Sequence, residues 1–378
     1  MALLFLCLIF GTGRTQKIEA ADTETDQAAA AQDELLAELD FDAIQQEVDS
    51  LLSSQQFSFA GTVRSLLQDG DPFRTFRAGN AVLSCAKTAF LAQKGLMKEL
   101  FLLVLAGAVL GSFSSLFEGK QVRDASFYMV YLLALALILK NFQSSGENLK
   151  AVITSLVAFM RILTPSYYLA AAAAGGASSA VMFYQMLLLV ILAVEKLLLA
   201  LVLPMIHIYL LIALVNDLSG EEILSHMTEL LETCVNGLLK SSLGVLVGMQ
   251  MIRNLIAPAL DSLRQMALWR TAGMIPGIGN AVNAVTELVA GSAVLIRNCF
   301  GVTAMLVLLA AGMVPAVQLL VSGLSFRLRA AAAQPVSDKR IAGCLAAAGK
   351  GYAMLLRLLL TVEVLFLLTI AILAGTFS

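Results

Sequence analysis

Residues 298–326 contain no charged side chain, and this run limits what the chain can fold into more than any other feature. A helix rises about 1.5 Å per residue, so about 20 apolar residues cross the ~30 Å hydrocarbon core of a bilayer. A run longer than that, buried nowhere near water, is what lipid requires of a spanning helix. Other apolar runs repeat along the chain, and 59% of its residues are hydrophobic against 14% charged. Soluble domains carry about 25% charged residues. With a mean hydropathy of +0.83, the chain reads as an all-α, polytopic helical membrane protein.

Eight or nine transmembrane helices are expected. Residues 100–117 form the first, bounded by Glu99 and Glu118. A charged turn leads to a short run over 125–139, then to a span over 151–174 with Arg161 inside it and Pro165 beyond. Gly175 and Gly176 read as a helix break. Residues 181–215 hold either two spans meeting at Glu195, Lys196 and Pro204, or one long kinked helix. Ser219 reads as the N-cap of an amphipathic surface helix, with Glu221 and Glu222 in its first turn. A span follows over 238–257, then an amphipathic stretch ending at Trp269, an interfacial anchor.

Residues 274–296 form the next apolar stretch, opened by Pro276, Gly277 and Gly279 as a second break and carrying Glu287 in its middle. Pro315 predicts a kink in the run that follows. Arg327, Arg329, Lys339 and Arg340 then make a basic loop, placed on the cytoplasmic side by the positive-inside rule. The last span covers about 352–375, with Arg357 and Glu363 inside it.

The N-terminal part has a different character. An apolar run over 2–10 is too short to span, and Ala20 and Ala21 supply small residues for cleavage. Residues 1–20 therefore read as a signal peptide, although the basic n-region is missing. From Glu19 to Asp71 there are 13 acidic residues and one basic residue, Arg64. This defines an acidic extracytoplasmic segment over 21–98, ahead of a membrane domain over 99–378. Leu35, Leu36, Leu39, Ile44, Val48, Leu51 and Leu52 keep helical spacing. The segment is either a solvated helical pair or tail, or a docking element. Lys87, Lys94 and Lys98 run against an external placement by the positive-inside rule.

Catalytic signatures are missing from the sequence. Cys7, Cys85, Cys234, Cys299 and Cys344 are scattered, and only His207 and His226 could join them, which predicts no metal site. Pro276-Gly277-Ile278-Gly279 lacks the third glycine of a dinucleotide fingerprint. No Walker A, HExxH or GxSxG sequence occurs. The basic residues form no patch for nucleic acid. The expectation is a non-enzymatic protein without a cofactor. Charge in apolar surroundings remains: Glu287 above all, then Arg161, Glu195, Lys196, Arg357 and Glu363. A charge at the bilayer centre costs about 2.5–3.5 kcal/mol, so such groups usually face a protein interior or water. The plainer reading is a packing pair, or a side chain snorkelling to the interface.

Met274-Ile275-Pro276-Gly277-Ile278-Gly279, Val285-Thr286-Glu287-Leu288-Val289, Ser292 and Leu295-Ile296-Arg297-Asn298 with Gly301 resemble the stage III sporulation protein AE family. Glu287 and Arg297 match the acidic and basic positions of that motif. The resemblance implies a membrane subunit of the channel-like complex between mother cell and forespore, as its permease-like component in one version. It implies a multi-pass place in the mother-cell membrane around the forespore. It also implies partners: other stage III A proteins, an ATPase among them, and stage II protein Q on the forespore side. It supplies no catalytic residue. The alternative, of another class, is a self-sufficient secondary transporter for a small metabolite, which broken helices and mid-span charges would suit.

Overall fold

The computed structural model describes residues 40–52, 57–69, 120–173, 178–219, 224–272, 279–334 and 339–375, with isolated helical positions at 87, 91, 98 and 102. Within these, the side chains of 68–69, 120–127, 168–173, 178–184, 187, 250, 253–272, 279–290 and 372–375 are outside the description. The signal peptide, the span over 100–117 and the breaks at Gly175, Gly176, Pro276 and Gly277 lie outside the described residues. Every described element is helical.

Two short helices come first, α1 (Phe41–Leu51) and α2 (Phe59–Asp69). Asp40 caps α1, its carboxylate accepting the Ala43 N–H at 3.1 Å. Gln45 clasps the pair: its amide donates to the Phe57 carbonyl at 2.7 Å and accepts the Phe59 N–H at 2.8 Å. Ile44, Val48, Phe59 and Val63 are buried, because α1 packs on α3 and α2 on α7. The acidic segment therefore carries a pair docked on the membrane helices.

Helix α3 (Lys120–Ala173) is one helix of 54 residues. The two spans expected over 125–139 and 151–174 are thus joined through the polar stretch between them. The cause is an unbroken buried stripe at helical spacing: Tyr131, Ala134, Ile138, Phe142, Leu149, Ile153, Leu156, Met160, Leu163 and Tyr167. Polar groups at 140–150 sit beside this stripe and leave it intact.

The 181–215 region is the long interrupted helix. Helix α4 (Ser178–Leu197) runs into a π-helical turn, Leu198–Val202, and on into α5 (Leu203–Ser219). Pro204 has no N–H for the carbonyl four residues back, and its ring crowds that turn. The wider turn relieves this, with the Leu203 N–H donating to the Leu198 carbonyl five residues back. Ser219 is the last residue of α5, its hydroxyl donating to the Asn216 carbonyl at 2.8 Å, and the first turn it was expected to cap lies outside the described residues. Asn216 closes the connection by accepting the Leu224 N–H at 2.8 Å. Helix α6 (Ser225–Ala272) then merges the amphipathic helix, the span and the second amphipathic stretch. Helix α7 (Gly279–Ala333) merges the two stretches on either side of residue 297, and α8 (Lys339–Gly375) closes the chain.

Five helical stretches are long and apolar enough to cross a membrane: Tyr128–Tyr167, Leu188–Ser219, Ser225–Met249, Gly291–Ala333 and Lys339–Ala371. The expected span over 100–117 lies outside the described residues, and elsewhere neighbouring runs share a helix. Side-chain contacts orient them. Tyr131 on α3 bonds the Leu214 carbonyl on α5, whereas Tyr167 meets Phe300 on α7. Asp217 on α5 abuts Gly343 near the start of α8. Helix α3 therefore runs away from the basic α7–α8 hairpin, α4–α5 run back towards it, α7 runs towards it and α8 away.

Candidate functional site

Of the carboxyl groups singled out in the sequence, Glu363 has the most enclosed setting among the described side chains. It lies midway between Tyr352 and Gly375 on α8, and its side chain is 7% exposed. Helix α7 makes room for it at Gly312, the midpoint of the uncharged run 298–326. A Cβ on Gly312 would collide with the Glu363 carboxyl group, lying 2.7 Å from Oε2 and nearer still to Cδ and Oε1. Three residues on, Pro315 has no N–H, so the buried Ala311 carbonyl lacks its intrahelical donor. Two apolar helices thus meet at mid-depth around one carboxyl group, and the same turn of α7 carries a freed backbone acceptor. Among the described residues no hydrogen bond or ion pair reaches the Glu363 side chain.

Arg297 is buried, 1% exposed, on the segment of α7 that also carries Phe300. Its Nη2 approaches Asn298 Oδ1 at 3.5 Å. Phe300 forms an aromatic cluster with Phe41, Phe59 and Tyr167, so Arg297 lies in the part of α7 covered by α1 and α2. Glu287 belongs to the same continuous helix, about 15 Å along the axis, and its side chain is outside the described residues. Gly279 is the first residue of α7. Glu195 is half-buried and feels the charge of Arg161 across α3 and α4. Lys196 and Pro204 are exposed. Among the described residues no contact joins Arg297 to Glu195 or Lys196.

Towards the basic hairpin the helices are joined by polar contacts. The Tyr352 hydroxyl accepts from Asn141 Nδ2 at 2.7 Å and lies 3.2 Å from Ser145 Oγ. Its ring stacks on Phe326 at 5.3 Å, and the Arg329 guanidinium lies over Phe326 at 4.9 Å. Lys350 pairs with Glu232 on α6, and Arg357 donates to Asn236 at 3.0 Å. These contacts tie α3, α6, α7 and α8 together. Gly312 and Tyr352 were missed in the sequence, although Gly312 and Glu363 sit at similar distances from the hairpin. That equal depth was the available signal.

Among the described residues no group of three or more His, Cys, Asp or Glu side chains could hold a metal ion. The all-helical fold, with five helices long and apolar enough to cross a membrane among the described residues, fits a multi-pass membrane protein. The sequence pattern of the family described as Stage III sporulation protein AE matches residues 57–376. The chain is also 22% identical over 391 aligned positions to Stage III sporulation protein AE of Bacillus subtilis (strain 168), covering 99% of this chain and 97% of that one. No solved structure matches. The chain belongs to the stage III sporulation protein AE family, a family of sporulation proteins, which bears out the resemblance read around Pro276.

Proposed function

We propose that this chain is a membrane subunit of a channel-like complex joining mother cell and forespore, placed in the mother-cell membrane around the forespore and acting there as the permease-like element. Its partners would be the other stage III A proteins, including an ATPase, and stage II protein Q. The observation that carries the reading is the polarity of α7. Phe300, at the start of its uncharged run 298–326, holds the acidic α1–α2 pair, and Arg327 and Arg329 mark the other end of that run. The 27 residues from 300 to 327 correspond to about 40 Å of helix, enough to cross the bilayer. With the basic hairpin cytoplasmic, the pair faces the space between the two membranes, where a partner from the opposing membrane would meet it.

The test is deletion of residues 41–69 in a sporulating host. Normal membrane abundance, with loss of co-purifying stage III A proteins and of late forespore gene expression, is the expected result. Retention of both would overturn the reading. The carrier alternative draws support from the π-helical turn before Pro204, an interruption of the kind found in transporter helices. Purified chain in proteoliposomes separates the two: the carrier would transport a solute unaided, whereas the complex subunit would need its partners.

A further inference from the structure

The enclosed carboxyl at mid-bundle calls for a chemical account, whichever assembly the protein joins. An ionised carboxylate is an acceptor only and needs donors or solvent around it, and among the described residues no hydrogen bond reaches the Glu363 side chain. The neutral acid carries no charge, so an apolar seat on Gly312 costs it far less than it costs the carboxylate. Among the described residues no ion pair reaches the site. Helix α8 packs on α3, α4, α5, α6 and α7. The charged groups on those helices include Arg297 and Arg329 on α7, Asp217 on α5, Arg161 on α3, Glu195 on α4 and Glu232 on α6. None of them acts on the Glu363 carboxyl.

We propose that Glu363 is a proton-binding site in the middle of the bundle, seated on Gly312 as the neutral acid, and that loss of its proton drives α7 and α8 apart. In that step the carboxyl O–H bond breaks, the proton passes to water entering through the small exposed edge of the side chain, and the carboxylate remains. The carboxylate requires solvation that the Gly312 notch is too tight to hold, since the carboxyl already fills the position of a Cβ. Separation of the two helices admits that solvent. The ligand is therefore a proton, and helix spacing is what its binding controls. The inference stands apart from the channel reading, because it needs the bundle alone.

The test uses the full chain in lipid nanodiscs. Infrared difference spectra between wild type and Glu363→Gln should show a protonated carboxylic-acid band near neutral pH that disappears as the pH is raised. Spin labels at exposed Leu320 on α7 and Leu360 on α8 should report a longer spacing at high pH in wild type and an unchanged spacing in the Gln variant. If Glu363→Gln does not fold, Gly312→Ala serves as the second variant, since it must displace the carboxyl and shift or remove the same band. A wild-type protein with no such acid band near neutral pH overturns the proposal. So does a helix spacing that stays constant while the band is lost.

Discussion

Phe59 of α2 meets Phe300 of α7 edge to face, with ring centroids 5.0 Å apart. Phe41 joins the same cluster, 6.1 Å from Phe300 and 6.3 Å from Phe59. An edge-to-face pair contributes about 0.5–1.5 kcal/mol beyond the area it buries, and both Phe59 and Phe300 are fully buried. Truncating Phe300 to Ala should cost about 3 kcal/mol, most of it at the seat of the pair. The expected outcome is several-fold faster proteolysis within residues 41–69, with the membrane helices still protected. Equal cleavage rates in wild type and Phe300→Ala would show that the pair is held by other contacts.

The two ends of the uncharged run in α7 make a topological prediction. In a variant without native cysteines, expressed in non-sporulating cells so that it lies in the cytoplasmic membrane, Ser50→Cys, on the exposed side of α1, should react with an impermeant thiol reagent added to intact protoplasts. Ser337→Cys, between Arg329 and Lys339, should react only after permeabilisation, because the basic hairpin stays cytoplasmic. The reverse pattern would invert every helix of the bundle.

The contrast between α3 and α8 explains how much of this was legible. The apolar composition established an all-helical membrane protein, and the block from Met274 to Gly301 identified its family. Charge-free runs were a poor guide to where helices end. Residues 140–150 look like a loop because they are polar, yet Phe142 and Leu149 continue the buried stripe of α3, and a helix follows its stripe. Glu363 was visible as a mid-span charge. Its seat on Gly312 was not, because facing positions on two helices follow from packing and leave no local signature.

Close helix approach makes glycine substitutions informative. A Cβ on Gly146 of α3 would fall 2.6 Å from Cε1 and Nε2 of His207 on α5. The imidazole has little freedom to yield, since its Nδ1 bonds the Leu203 carbonyl region at 2.8 Å and its ring lies edge-on to Phe142 at 5.2 Å. Gly146→Ala should therefore destabilise the bundle by about 1–3 kcal/mol. Gly244 on α6 has nothing within 4 Å of its Cβ position, so Gly244→Ala should be neutral or stabilise by up to about 1 kcal/mol. Thermal unfolding midpoints in one detergent should fall for the first and hold or rise for the second. Equal shifts would mean that α3 and α5 are farther apart than described.

Tyr352 offers the sharpest separation of polar from apolar packing. Its ring is fully buried and stacks on Phe326, which phenylalanine would preserve, while its hydroxyl receives the Asn141 amide at 2.7 Å. Tyr352→Phe removes the acceptor and leaves the half-buried Asn141 amide without it, a loss of about 1–3 kcal/mol. Asn141→Leu removes the donor and leaves the hydroxyl its contact with Ser145 Oγ at 3.2 Å, so it should cost less. Once both groups are gone, no orphaned pair remains, and the double variant should be more stable than the sum of the two single effects predicts. Equilibrium unfolding of the four proteins supplies the double-mutant cycle, with a coupling of about 1 kcal/mol expected. Strict additivity would mean that the two side chains act independently, and that stacking on Phe326 alone holds Tyr352 between α3 and α7.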